Sequence, residues 1–158
     1  MVLQSELDLL HPVENLGHEA ALSIVLTGEL LAKEADRILK PYKLTQAQFN
    51  VLMLLRYQSE KGELNQTRLG RMLLVNRSNV TGLVDRMERD GWVQRVPESE
   101  DRRVKKVRLT DSGRKLCEKS AKAYMARIDE IVGALGTSGV RDLCRKLDDI
   151  RGRIYEKP

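Results

Sequence analysis

Small polar and basic side chains are concentrated in the stretch from Asn76 to Asp90. On a helix, the apolar residues of this stretch form one buried stripe at i, i+3, i+4 and i+7: Val80, Leu83, Val84 and Met87. The opposite face, flanked by Asn79 and Thr81, carries Ser78, Gly82, Asp85, Arg86 and Arg89. A helix that is slim at its N-terminal end can enter the DNA major groove, where Asn, Ser and Arg pair with base edges. The pattern favours base recognition by a helix over 76–90; the alternative is the solvated polar face of an ordinary core helix.

A second segment with possible chemistry is the polar loop over 97–104. It joins two short strand patterns, Trp92–Val96 and Lys105–Leu109, and would therefore be the tip of a β-hairpin. Arginines projecting from such a tip, here Arg102 and Arg103, can enter a narrow minor groove. Asp101 would hold a neighbouring guanidinium in place rather than contact DNA. The alternative is a charged turn that only improves solubility.

The distribution of charge agrees with a polyanionic partner. The chain has 158 residues, a formal net charge of +5 and a sequence pI near 9.3. The quarter of the chain over 76–115 holds eleven Lys and Arg against seven Asp and Glu, so most of the surplus lies there. A basic face without a partner is the alternative, and charge alone does not separate the two.

The elements that position these groups are predicted from capping residues and apolar spacing. A helix over 16–39 is apolar on most sides and ends before Pro41, and a second subunit is its simplest cover. Thr45 and Gln48 form a capping box that opens a central helix through Leu55. Asn65 caps a short helix, and Asn76 caps the next one after a tight turn at Leu74-Val75. Gly91 ends the second of these, and Thr110-Asp111 caps a long helix that another follows.

These predictions describe a mainly α fold with a small β-hairpin wing, a winged helix-turn-helix. The DNA-binding domain is predicted at 41–110. Helices within 1–40 and 111–158 are predicted to form a dimerisation region, because they are too apolar for a monomer.

The segment from Leu83 to Arg95, with Asp101, Arg103, Leu109 and Thr110 at the spacing D-x-R-x5-L-T, resembles the MarR family of bacterial regulators. Leu74 is a departure, because a small residue is common in that turn. The resemblance implies a homodimer built by the first and last helices that binds a near-palindromic operator. It also implies a repressor released when an anionic or phenolic ligand binds between the dimer region and the DNA-binding part. Another branch of the family senses oxidants through a cysteine in the first helix.

Specific roles follow for double-stranded DNA as the partner. Asn79 and Arg86 are expected to face base edges, and Arg68, Arg71 and Ser78 to meet phosphates. The full set of expected DNA-binding residues is Arg68, Arg71, Arg77, Ser78, Asn79, Thr81, Gly82, Arg86, Arg102 and Arg103. For an aromatic or anionic effector, His18, Arg56 and Tyr57 lie near the ends of apolar helices and could supply polar groups.

Four other interpretations carry less weight. An enzyme is not expected, because His11 and His18 are the only histidines and no Gly-rich phosphate loop is present. A metal site would have to gather these histidines with Glu14 and Glu19, and no cofactor is expected. A redox sensor is disfavoured, because the first helix lacks cysteine. Cys117 and Cys144 occupy apolar positions of the predicted dimer helices, which predicts buried, inert side chains. A winged helix used only for protein contacts is the last alternative, and the arginines of the wing argue against it.

The chain shows neither a signal-peptide pattern nor the roughly 20 consecutive apolar residues that a membrane span requires. We therefore expect a cytoplasmic protein with no membrane partner.

Overall fold

The computed structural model describes residues 2–59, 62–73, 77–97 and 105–156. Within these ranges the helices are α1 (Val2–Glu6), α2 (Leu16–Leu39), α3 (Gln46–Tyr57), α4 (Gln66–Met72), α5 (Arg77–Arg89), α6 (Asp111–Gly133) and α7 (Gly136–Tyr155). The strands are β1 (Glu63–Asn65), β2 (Val93–Pro97) and β3 (Lys105–Leu109), and a 3₁₀ turn at Lys40–Tyr42 follows α2. The fold class predicted from sequence is confirmed: it is mainly helical with a small antiparallel sheet.

The starts of α3, α4 and α6 are set by predicted side-chain caps. The Thr45 side chain accepts a hydrogen bond from the Gln48 N–H (3.3 Å), and the Gln48 side chain accepts one from the Thr45 N–H (2.9 Å). Asn65 accepts from the N–H of Arg68 (2.7 Å), and Thr110 accepts from the N–H of Gly113 (3.0 Å). Each cap satisfies an N–H group that the first helical turn leaves without an internal partner.

Gly91 ends α5 as predicted. Its φ of +74° is the left-handed conformation that glycine adopts without steric cost. The Gly91 N–H donates to the Glu88 carbonyl and the Trp92 N–H to the Met87 carbonyl, which is a Schellman ending. This turn directs the chain from α5 straight into β2.

The predicted two-stranded wing is part of a three-stranded sheet. The strand order is β1-β3-β2 and both pairings are antiparallel, with Leu64 opposite Val107 and Val93 opposite Leu109. Sequence analysis predicted no strand at Glu63–Asn65 and placed β2 one residue early, at Trp92–Val96. Strand β1 is only three residues long, too short to show an alternating pattern, and it forms because β3 pairs with it.

Helix α3 lies at the centre of the hydrophobic core. Its buried residues Phe49, Val51, Leu52 and Leu55 belong to one cluster with the buried stripe of α5 and with Val107 of β3. Helix α3 also contacts α2 and α6. The central helix predicted after Thr45 is confirmed, and it connects the winged part to the long terminal helices.

Helices α2 and α7 keep large apolar side chains in solvent. Ile24, Val25 and Leu30 are exposed on α2, and no residue of α7 is buried in this chain; its exposed apolar residues are Leu143, Ile150, Ile154 and Tyr155. The predicted burial is confirmed for Cys117, whereas in the single chain Cys144 is exposed on α7, one of the helices predicted to form the dimer. Helix α7 contacts α6 within the chain, and that packing leaves Cys144 uncovered.

In the part of the chain that the structure describes, no helix is long and apolar enough to cross a membrane.

Candidate DNA-binding interface

Helix α5 has the two faces that its sequence predicts. Val80, Val84 and Met87 are fully buried, and Leu83 nearly so. On the other side Asn79, Thr81, Asp85, Arg86 and Arg89 are exposed. The buried stripe anchors the helix to the core, so the polar face is held toward solvent in a defined orientation.

Arg86 and Gly82 lie together on this polar face. A Cβ placed on Gly82 would lie 3.7 Å from Nη1 of Arg86, so the arginine side chain runs back toward the preceding turn. This direction carries the guanidinium toward the N-terminal half of α5, where Asn79 lies. Arg77 and Ser78 lie in the first turn of α5, but their side chains are not among the described ones.

Helix α4 adds two exposed cations beside α5. Arg68 and Arg71 are exposed, while Leu69 between them is fully buried. Helices α4 and α5 contact each other, as the two helices of a helix-turn-helix do. The turn between them, 74–76, lies outside the described residues.

The described part of the wing is its base, formed by β2 and β3. Strands β2 and β3 are paired from Val93–Leu109 to Pro97–Lys105. The predicted contact residues Arg102 and Arg103 and the positioning residue Asp101 fall outside the described ranges.

Arg95 on β2 joins the wing base to α5, a contact that sequence analysis did not predict. Its Nη2 lies 2.5 Å from Oδ1 of Asp85, and its Nη1 donates to Oε2 of Glu88. The backbone N–H of Arg95 also donates to Oε1 of Glu88 (2.8 Å). Burial lowers the pKa of this guanidinium, but the two carboxylates raise the pKa by more, so it stays above its usual value.

Thr110 and Gly113 join α6 to the turn that follows α5. The Thr110 hydroxyl donates to the Gly91 carbonyl (2.7 Å), and the Thr110 N–H donates to the Trp92 carbonyl (3.1 Å). Helix α6 approaches so closely that a Cβ on Gly113 would lie 1.9 Å from the Trp92 carbonyl oxygen. The Leu109-Thr110 pair of the sequence motif therefore ends the wing and fixes the start of α6 against the end of α5.

A cleft of about 510 Å³ lies between α3 and α6. Its lining is Met53, Tyr57 and Gln58 from α3 and the segment that follows it, with Glu118, Ala121, Lys122 and Met125 from α6. Its size is that of a small-molecule site, and its lining mixes apolar side chains with a few polar groups.

Of the three residues predicted for an effector, one lines this cleft and a second contacts a residue of its lining. Tyr57 lines it, and Arg56 Nη2 lies 3.1 Å from Oε1 of the lining residue Glu118. The Arg56 Nε is buried and has no hydrogen-bond partner among the described residues. His18 does not line the cleft; it is exposed in the first turn of α2, where its N–H donates to Asn15.

The cysteine near the cleft is poorly suited to redox chemistry. Cys117 is fully buried, and its Sγ lies 4.0 Å from the sulfur of Met53. Burial raises the pKa of the Cys117 thiol to about 11, although the charge of Arg56 lowers it. A thiol with so high a pKa forms little of the reactive thiolate near neutral pH.

An ion pair connects the C-terminal part of α2 to the C-terminal part of α6. Glu34 of α2 accepts from Arg37 on the same helix (2.7 and 2.8 Å) and from Arg127 of α6 (2.6 Å). The hydrogen bonds from Arg37 and then Arg127 lower the pKa of the Glu34 carboxyl to about 2.

Comparison with known sequences places this arrangement in a family. Residues 44–105 match the sequence model of the MarR family. The chain is 32% identical to the HTH-type transcriptional regulator PecS of Dickeya dadantii, over 53% of this chain and 51% of PecS. It is 37% identical to the transcriptional activatory protein BadR of Rhodopseudomonas palustris, over 70% of this chain and 64% of BadR. The matched part thus spans about half to two thirds of these relatives.

Solved structures agree over nearly the whole chain. Sco5413, a MarR family transcriptional regulator from Streptomyces coelicolor, aligns with a TM-score of 0.74 and 30% identity, over 90% of this chain and 100% of Sco5413. NadR, solved in complex with 4-hydroxyphenylacetate, aligns with a TM-score of 0.67 and 27% identity, over 94% of this chain and 96% of NadR. With the buried stripe of α5, the wing base and the Leu109-Thr110 joint, these likenesses establish that the chain belongs to the MarR family.

Proposed function

We propose that this chain is a transcription regulator that binds a specific double-stranded DNA operator as a homodimer. The observation that carries the proposal is the exposed polar face of α5, held outward by a buried stripe, with two exposed arginines of α4 beside it. An exposed helix of this kind fits the major groove, and neighbouring cations fit the phosphate backbone. The curated relatives are named as transcriptional regulators, which supports the same function.

Each contact residue has a proposed role. Asn79 and Arg86 bind base edges, and Thr81 and Gly82 allow the helix to approach the groove closely. Arg68, Arg71, Arg77 and Ser78 bind phosphates around it. Arg102 and Arg103 enter the adjacent minor groove, and Asp101 positions them.

The homodimer is supported by the exposed apolar side chains of α2 and α7. A second copy that covers both helices would remove these side chains from water, and a two-fold arrangement presents two α5 helices to one DNA face. We therefore assign dimerisation to the regions 1–40 and 111–158, and DNA binding to 41–110.

The cleft between α3 and α6 is the proposed effector site. NadR was solved with 4-hydroxyphenylacetate, an aromatic acid, and the cleft here combines Met53, Met125 and Tyr57 with the cation Lys122. The guanidinium of Arg56 contacts the lining residue Glu118, and its Nε has no hydrogen-bond partner among the described residues. We infer that an aromatic acid binds here and releases the protein from an operator that it represses.

The decisive experiment is selection of an operator from random DNA by the purified protein. The expected product is a near-palindrome whose half-sites are centred about one helical turn apart, roughly 34–36 Å. Inserting five base pairs at its centre should abolish tight binding, because one half-site then faces the opposite side of the duplex. Failure to select any sequence, or unimpaired binding after the insertion, contradicts the proposal.

A further inference from the structure

Helix α5 carries two acidic side chains on or beside the surface proposed to face DNA. The side chain of Asp85 is 54% exposed and that of Glu88 is 37% exposed. Near a protein surface, repulsion between like charges persists over several ångströms, so free carboxylates here would oppose the approach of phosphates. Asp85 is also adjacent in sequence to Arg86, the proposed base-reading arginine.

Arg95 binds both of these carboxylates from the wing base. Both terminal nitrogens of its guanidinium are engaged, one by each acid, and the Arg95 backbone N–H adds another bond to Glu88. The side chain of Arg95 is only 16% exposed, so the pair is better shielded from solvent than an ordinary surface ion pair. The bonds cross from β2 to α5, and they turn the acids toward the strand.

We propose that Arg95 is a positioning residue for operator binding. It draws the Asp85 and Glu88 carboxylates toward β2 and offsets their charge, which lets α5 approach the phosphates. This inference rests on the proposed function. Arg95 does not itself bind a phosphate, because its terminal nitrogens are occupied and its side chain is largely covered. In this respect it differs from the exposed Arg68 and Arg71.

The test compares three proteins on the operator selected by the wild type. Arg95→Gln should weaken binding about tenfold or more, because two carboxylates near phosphates lose their counter-charge. The triple variant Asp85→Asn/Glu88→Gln/Arg95→Gln should return to within about threefold of wild type, with an unchanged dependence of affinity on salt. Folded fractions are measured by circular dichroism, and affinities are expressed per folded protein.

The other outcomes overturn the inference. If Arg95 bound a phosphate directly, the triple variant would stay weak and its salt slope would fall by about one. If Arg95 served only folding, Arg95→Gln would bind with full affinity once corrected for folded fraction. Wild-type protein that selects no operator would instead overturn the proposed function, a result independent of Arg95.

Two further variants keep the test decisive. If Arg95→Gln does not fold, Asp85→Asn alone is informative: it should keep the operator sequence and bind at least as tightly as wild type. Weaker binding with a changed base preference would show that Asp85 reads a base, contrary to the inference. Arg37→Gln is the matched control, because it removes a carboxylate-paired arginine from α2, outside the DNA-binding region. It should leave operator affinity unchanged when affinity is expressed per folded dimer.

Discussion

At the scale of single residues, base-reading and phosphate-binding side chains differ in what their loss does. Asn79→Ala or Arg86→Ala should cost about 1–3 kcal/mol on the selected operator and relax the preference at one position per half-site. Arg68→Ala should weaken binding to all sequences alike and reduce the salt slope by about one. Titrations of the operator and its single-base variants at several salt concentrations separate the two. Unchanged operator preference and affinity in both α5 variants would show that α5 is not the reading helix.

Substitution of Gly113 is expected to destabilise the fold, because its α-carbon faces the Trp92 carbonyl. A methyl group there would lie 1.9 Å from that oxygen, and the neighbour is backbone that cannot swing aside. Gly113→Ala should therefore destabilise the fold by about 1–3 kcal/mol, despite the better helix propensity of alanine. Gly133→Ala on the same helix meets nothing within 4 Å and is the control. Urea denaturation measures both, and equal stability of the two variants would contradict the close approach.

The residues that sequence reasoning identified are those whose partners are local. The caps at Thr45, Asn65 and Thr110 each bond an N–H three residues ahead, a distance that the sequence itself displays. Arg95 bonds residues seven and ten positions earlier, and its partners depend on how β2 packs against α5. The one signal in the sequence was the pair of acids Asp85 and Glu88, which lie one helical turn apart and can therefore bind the same cation.

At the scale of elements, those with a capping residue or an apolar pattern were predictable, and β1 and α1 were not. Helix α2 has the predicted bounds of Leu16–Leu39, and β3 has those of Lys105–Leu109. Strand β1 was missed because its three residues become a strand only through pairing with β3, about 40 residues later. Helix α1, five residues long, likewise shows no periodic signal of its own.

The ion pair between Glu34 of α2 and Arg127 of α6 predicts that the stability of the fold depends on pH. The pKa of Glu34 is lowered from 4.5 to about 2 in the folded chain, so the folded state favours the ionised form. This contribution is fully present above pH 4.5 and is lost as the pH falls toward 2. Glu34→Gln should therefore flatten the free energy of unfolding against pH over this window, relative to wild type. Chemical denaturation at each pH measures it, and parallel curves for the two proteins would exclude the role.

At the scale of the whole molecule, the chain by itself leaves apolar faces uncovered. Cys144 illustrates this: its apolar helical position predicted burial, yet it is exposed on α7. Periodicity shows that a face is apolar but not whether the cover comes from the same chain. For the exposed apolar residues of α2 and α7, the sequence of one chain therefore does not predict what surrounds the side chains.

The proposed control by an effector also belongs to the whole molecule. The cleft and α5 are connected through α3, the central helix that contacts α2, α6 and α5. A ligand at the cleft can weaken operator binding only if it prefers an arrangement of α3 and α6 that does not fit the operator. By reciprocity, saturating operator must then lower the affinity for the ligand by the same factor, about 5–150-fold for a coupling of 1–3 kcal/mol.

Titration calorimetry with 4-hydroxyphenylacetate, with and without saturating operator, measures the factor by which the operator lowers the affinity for the ligand. Lys122→Gln should lower the affinity for the ligand in both titrations. Lys122 lines the cleft, and its replacement removes a positive charge that attracts the carboxylate. Lys119→Gln, an exposed residue of the same helix that does not line the cleft, should leave the ligand affinity unchanged. Binding that is equally tight with and without operator would show that this aromatic acid does not control the protein. Equal weakening by the two lysine substitutions would place its site outside the cleft.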